Sequence, residues 1–216
     1  MKTWRENTRD IFLFLEERSG LTGTLLFLTL LLLPAVAEAH LVNTGFGTFY
    51  DGVAHLFITP SDILVALGLG LLAGLCGAAA SRWTIIAMPA AWLTGELIGS
   101  ISPALITLPW LTTLSFGIVG VLVALNAKIP RTVLLLLTSA AGLLHGFVNG
   151  ATMAAAGTDR LGMLGAALAV FVVITLLAAL VVSLRAQWSR IAVRVAGSWI
   201  AAIGLLMIGW LVKGGG

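Results

Sequence analysis

The sequence predicts an all-α fold: a polytopic membrane helical bundle of six transmembrane helices behind an N-terminal signal segment. Three observations carry this expectation. Of the 216 residues, 59% are hydrophobic and only 10% charged, and the mean hydropathy is +1.08, too apolar for a chain that must cover itself with a polar surface. The apolar residues fall in continuous runs of about 20, the length that crosses a bilayer core as a helix, rather than in the short alternating segments of a β-barrel. The basic residues sit at the ends of those runs, where they set topology. The net charge of +3 is thereby accounted for. The expected partner is the lipid bilayer, and nucleic acid is not one.

Taken in order, residues 1–20 carry four bases (Lys2, Arg5, Arg9, Arg18) and four acids (Glu6, Asp10, Glu16, Glu17). The apolar stretch Leu21 to Leu33, then Pro34 and the Ala37-Glu38-Ala39 box, completes the pattern of a secretory signal. Cleavage after Ala39 is expected, making 1–39 a signal peptide and His40 the mature N-terminus. An uncleaved first helix is the alternative. Residues 40–60 read as an extracytoplasmic metal-collecting segment, and 61–216 as the six-helix bundle. Thr59-Pro60-Ser61-Asp62 has the form of a helix start, with Thr59 as N-cap, Pro60 first in the helix and Asp62 the acid at its third position. Apolar segments follow at 61–81, 83–101, 104–126, 132–156, 161–184 and 190–212.

With the mature N-terminus outside, the inner loops carry Arg82, Lys128, Arg131, Arg185, Arg190 and Arg194, against Arg160 and Lys213 outside. This obeys the positive-inside rule; the expected location is a bacterial inner (cytoplasmic) membrane, with the mature N-terminus on the outer side. Glycines at four-residue spacing (Gly70 and Gly74; Gly95 and Gly99; Gly142, Gly146 and Gly150) mark faces where helices approach closely in lipid.

Two ionisable groups lie away from the ends of the expected spans, Glu96 in the second and His145 in the fourth, with Asn149 one turn beyond His145 on the same face. Such groups are costly in a bilayer and mark ion or proton paths, although a Glu96–His145 pair could also simply lock two helices. Asp51 and His55 stand four residues apart, on one face of a helical turn. Imidazole with carboxylate suits borderline divalent ions such as nickel, cobalt, zinc or copper(II). A mature N-terminal His40 would add its amino group and ring. Trp83, Trp110 and Trp188 suit the membrane interface, and Trp92, Trp199 and Trp210 read as apolar bulk. Cys76 is the single cysteine, so one chain can form neither a disulfide nor a CxxC site. Motifs for a P-loop, a nucleophile elbow and an HExxH metallohydrolase are missing.

The run A-E-A-H, then F-Y-D-G-V-A-H, then an acid in the second span and H-G-x-x-N-G in the fourth resembles the HupE/UreJ family of small membrane proteins, in a branch with an extended N-terminal segment. The resemblance implies nickel or cobalt uptake beside hydrogenase and urease genes. It assigns the functional roles to His40, Asp51, His55, Glu96 and His145. Better-known members have a short H-x5-D-H motif and a glutamate soon after the fourth-span histidine, where this chain offers Asn149.

The reading that follows is a divalent-metal permease rather than an enzyme. It is not driven by ATP and has no permanent cofactor, and the transported ion is nickel or cobalt, with copper or zinc as alternatives. His40, Asp51 and His55 would capture the ion, and Glu96, His145 and Asn149 would form the site within the bundle. Two other readings remain open here: an intramembrane metal-dependent hydrolase with Glu96 as base, and a non-transporting accessory that binds metal at its outer face. A homo-oligomer and metalloenzyme-maturation partners are compatible with each. Intact-mass measurement on the protein purified from membranes is expected to give a chain beginning at His40; the mass of all 216 residues would show that the first apolar segment is retained.

Overall fold

The computed structural model describes residues 44–102 and 107–214. The signal segment and His40 lie outside the described residues. Seven helices follow one another: α1 (Thr48–Ile58), α2 (Pro60–Cys76), α3 (Ala78–Ser100), α4 (Pro109–Ala124), α5 (Arg131–Ala155), α6 (Arg160–Ser183) and α7 (Gln187–Gly214). The all-α class holds for the described residues.

The expectation of six transmembrane helices is not met. Only α5, α6 and α7 are long and apolar enough to cross a membrane, or four spans if α1 and α2, bent by 78° at Thr59, count as one. The reason is visible in the helix lengths. α2 has 17 residues and α4 has 16, so at 1.5 Å per residue each reaches only about 25 Å against a core of ~30 Å. α3 has 23 residues but dilutes its apolar face with Ser81, Arg82, Thr84, Pro89, Thr94 and Glu96. The chain is a multi-pass membrane protein with fewer full spans than its apolar runs suggested.

Each break has a local cause. Pro60 opens α2, where its missing N–H would lack a helical partner anyway, and Thr59 is extended before it. The expected first segment, 61–81, is divided by Gly77, whose φ of +99° belongs to glycine. Arg82 therefore lies in the second turn of α3 rather than in a loop. Asp159 caps α6, its Oδ1 accepting from the N–H groups of Leu161 and Gly162 at 3.0 and 3.1 Å.

α2 occupies the middle of the bundle. Val65, Ala66, Leu69, Leu72 and Ala73 are fully buried, against neighbours that include α3, α4, α6 and α7. A helix apolar on all sides is one surrounded by other helices. The most extensive pairing is α3 with α5, followed by α4 with α7. The glycine rows do what their spacing implies: Gly95 and Gly99 on α3 face the α5 backbone, and a Cβ on Gly146 or Gly150 of α5 would collide with the carbonyl oxygens of Trp92 and Glu96. These contacts fix how α3 and α5 slide past each other. Gly146→Val is expected to destabilise the protein by about 2 kcal/mol or more, seen as a lower Tm in detergent. Gly209→Ala, where the added carbon meets nothing, should be neutral. Equal effects of the two would contradict this packing.

Candidate functional site

The described acids and histidines of the bundle gather in one half of it. Asp62 sits in the first turn of α2, Glu96 in the last turns of α3, Ser115 in the second turn of α4, and His145 and Asn149 in the latter part of α5. Asp62, Glu96, His145 and Asn149 are all buried. Interiors of this kind tolerate polar groups only when they are hydrogen-bonded or otherwise compensated.

His145 is the hub. Its Nδ1 lies 2.8 Å from Asp62 Oδ1 and its Nε2 2.7 Å from Ser115 Oγ. With Asp62 ionised, its oxygen can only accept, and the contact then requires the hydrogen on Nδ1. Nε2 is then free to accept from the Ser115 hydroxyl, which has a second acceptor in Thr112 O at 2.7 Å. The ring also stacks on Trp92, with centroids 5.9 Å apart and planes at 22°. Trp92 in turn donates Nε1–H to Glu96 Oε1 at 3.0 Å, one helical turn away on α3. Asn149 Nδ2 donates to the same oxygen at 3.1 Å. One ring on α3 thus joins the Asp62–His145–Ser115 relay to the Glu96–Asn149 pair.

Three buried polar atoms around this cluster have no partner: the acceptor Asn149 Oδ1, the carboxyl oxygen Glu96 Oε2 and the ring nitrogen His55 Nδ1. His55 lies on α1 with its Nε2 3.5 Å from Thr59 Oγ1. His55 stands near the junction of α1 and α2, seven residues before Asp62. Among the described residues, however, no three His, Cys, Asp or Glu side chains are placed to hold one metal ion.

Set against the sequence, the structure brings together Glu96, His145 and Asn149, with His55 nearby. It does not pair Asp51 with His55. Asp51 Oδ1 accepts from Thr44 N and Thr44 Oγ1 at 2.6 and 2.7 Å, whereas His55 is buried. Nor do Glu96 and His145 bond to each other. Asp62, read from sequence as a capping acid, makes no cap: the Thr59 N–H donates to His55 O at 3.1 Å, and the Asp62 carboxylate reaches His145. Its one sequence signal is the His55-x6-Asp62 spacing, close to the H-x5-D-H pattern. Ser115 and Trp92 gave no signal beyond their helical positions.

The order Asp62–His145–Ser115 is that of a hydrolytic triad, yet Ser115 sits inside a helix. The neighbouring N–H groups there are committed to the i−4 ladder and cannot turn toward an oxyanion. What the arrangement offers is a buried polar cluster in which some atoms are left without a partner. Ser115→Ala, which leaves the buried Nε2 of neutral His145 without its donor, is expected to cost about 1–3 kcal/mol. Asp62→Ala leaves the buried imidazole N–H unpaired and should cost about 3 kcal/mol or more. Thermal unfolding of the purified variants decides, and equal losses would contradict the hub role of His145.

The family model described as "HupE / UreJ protein" matches residues 28–207. Protein HupE of Rhizobium leguminosarum bv. viciae is 28% identical over 182 residues, covering 84% of this chain and 94% of that protein. No solved structure matches. With most of its length matched by the family model, the chain belongs to the HupE/UreJ family.

Proposed function

We propose that the protein is a divalent transition-metal permease for nickel or cobalt, of the family branch with an extended N-terminal segment. It would work without ATP in a bacterial inner membrane, with its mature N-terminus on the periplasmic side. The observation that carries this reading is the set of unpartnered buried polar atoms, Glu96 Oε2, Asn149 Oδ1 and His55 Nδ1, beside the Asp62–His145 pair. A buried acceptor with no donor costs about 1–3 kcal/mol, and a passing cation is a species that acceptors alone can satisfy. Imidazole, carboxylate and amide oxygen match borderline divalent ions better than soft ones.

The incomplete ligand set fits cargo rather than a resident metal. An ion that must leave again needs a site attractive enough to enter and weak enough to release it. Glu96 would supply the charge, with Asn149 holding its other oxygen in place. His145, its Nδ1–H fixed by Asp62, would present Nε2 once Ser115 turns its hydroxyl to Thr112 O. His55, at the junction of α1 and α2, would receive the ion first, after capture by His40 and Asp51.

Cells expressing the wild type are expected to accumulate nickel or cobalt above vector controls. His55→Ala, Glu96→Gln and His145→Ala should each lower the uptake by roughly tenfold or more, the scale on which metal-site shells act. Wild-type accumulation in all three, at matched membrane levels, would overturn the reading.

A further inference from the structure

The end of the bundle opposite the polar cluster carries a different feature. A cavity of about 230 Å³ opens where α2 stops and α3 begins, lined by Leu75, Cys76, Gly77, Lys128, Val182 and Arg190 among others. Arg82, Lys128, Arg131, Arg185, Arg190 and Arg194 all lie at this end of their helices or in the adjoining loops. The four described acids, Asp51, Asp62, Glu96 and Asp159, lie in the other half.

Several of these cations are already held. Lys128 Nζ donates to Leu75 O, in the last turn of α2. Arg194 Nε donates to Ala124 O at 2.9 Å, and Arg131 lies 5.8 Å from the Trp83 ring centroid. Arg190 is exposed, and among the described residues no carboxylate pairs with it. Two cations on different segments therefore converge on one cavity whose remaining walls are mostly apolar. The Lys128 ammonium is fixed there by a neutral carbonyl, which leaves its charge uncompensated.

We propose that this cavity binds the phosphate headgroup of an anionic membrane lipid. The phosphodiester would lie between Lys128 and Arg190, with the start of an acyl chain along Leu75, Val181 and Val182. A basic recess between helix ends at the membrane surface is the setting in which anionic headgroups are held. Arginine can grip phosphate with two parallel hydrogen bonds, while lysine adds a point charge. A lipid is favoured over free phosphate because the cavity pairs its cations with apolar walls at the ends of lipid-facing helices.

Cys76 lines the cavity and is the single cysteine of the chain, so its alkylation reports occupancy without a background. The full-length protein is reconstituted in phosphatidylcholine vesicles with or without phosphatidylglycerol, and the rate of modification by uncharged N-ethylmaleimide is measured. Phosphatidylglycerol is expected to slow the reaction several-fold. Arg190→Gln should abolish the slowing, and Arg185→Gln, at the same end but not lining the cavity, should preserve it. Native mass spectrometry supplies a second readout that does not depend on thiol reactivity: the wild type should retain phosphatidylglycerol through gas-phase activation and Arg190→Gln should lose it. Equal retention by both, slowing that persists in Arg190→Gln, or the same protection by inorganic phosphate in pure phosphatidylcholine vesicles would overturn the proposal.

Discussion

The His145 ring is where the bundle is tied together. Its two nitrogens reach Asp62 on α2 and Ser115 on α4, one face lies on Trp92 of α3, and it is itself carried by α5. Four helices thus meet on one side chain that is 1% exposed. In an apolar interior, where water cannot replace a lost partner, this fixes the rotation and height of each helix relative to the others. Helix association in lipid has little hydrophobic drive of its own, so such contacts and close backbone packing must supply it.

The two devices work together. Gly146 and Gly150 face the carbonyls of Trp92 and Glu96, the two α3 residues whose side chains enter the polar cluster. Because α3 and α5 approach backbone to backbone there, Trp92 can stack on His145 while its N–H reaches Glu96, and Asn149 can close on the same carboxylate oxygen. Larger residues at these glycines would push apart the groups that share the site. The packing face is therefore also the site's scaffold.

Much of this was legible in the sequence, for a physical reason. Glu96, His145 and Asn149 stand out because a polar group inside an apolar run needs a partner there, and the small-residue rows say which face it lies on. The count of spans was not legible, because apolarity reports only removal from water. α2 is apolar all round because other helices enclose it, and its length falls short of a bilayer. Asp62 was hidden by a sufficient local explanation, since an acid in a first turn after Thr-Pro-Ser is what a helix start looks like. Ser115 and Trp92 acquire their meaning only from helices distant in sequence. Asp51 and His55 stand four residues apart on α1, but Thr44 offers Asp51 two nearby donors while His55 is buried.

What unites these features is a buried layer of carboxylate, imidazole and amide in which some acceptors are paired and others are left open. An inert structural network would be expected to close on itself. Here Glu96 is held by one oxygen and open at the other, which suits a group that must engage and release a cation. The most direct test is cobalt(II) titration of the purified protein, followed by ligand-field absorption. The wild type is expected to bind the ion with a spectrum carrying nitrogen and oxygen ligation that is lost in both Glu96→Gln and His145→Ala. No binding by the wild type, or an unchanged spectrum in both variants, would contradict the assignment of this layer to metal passage.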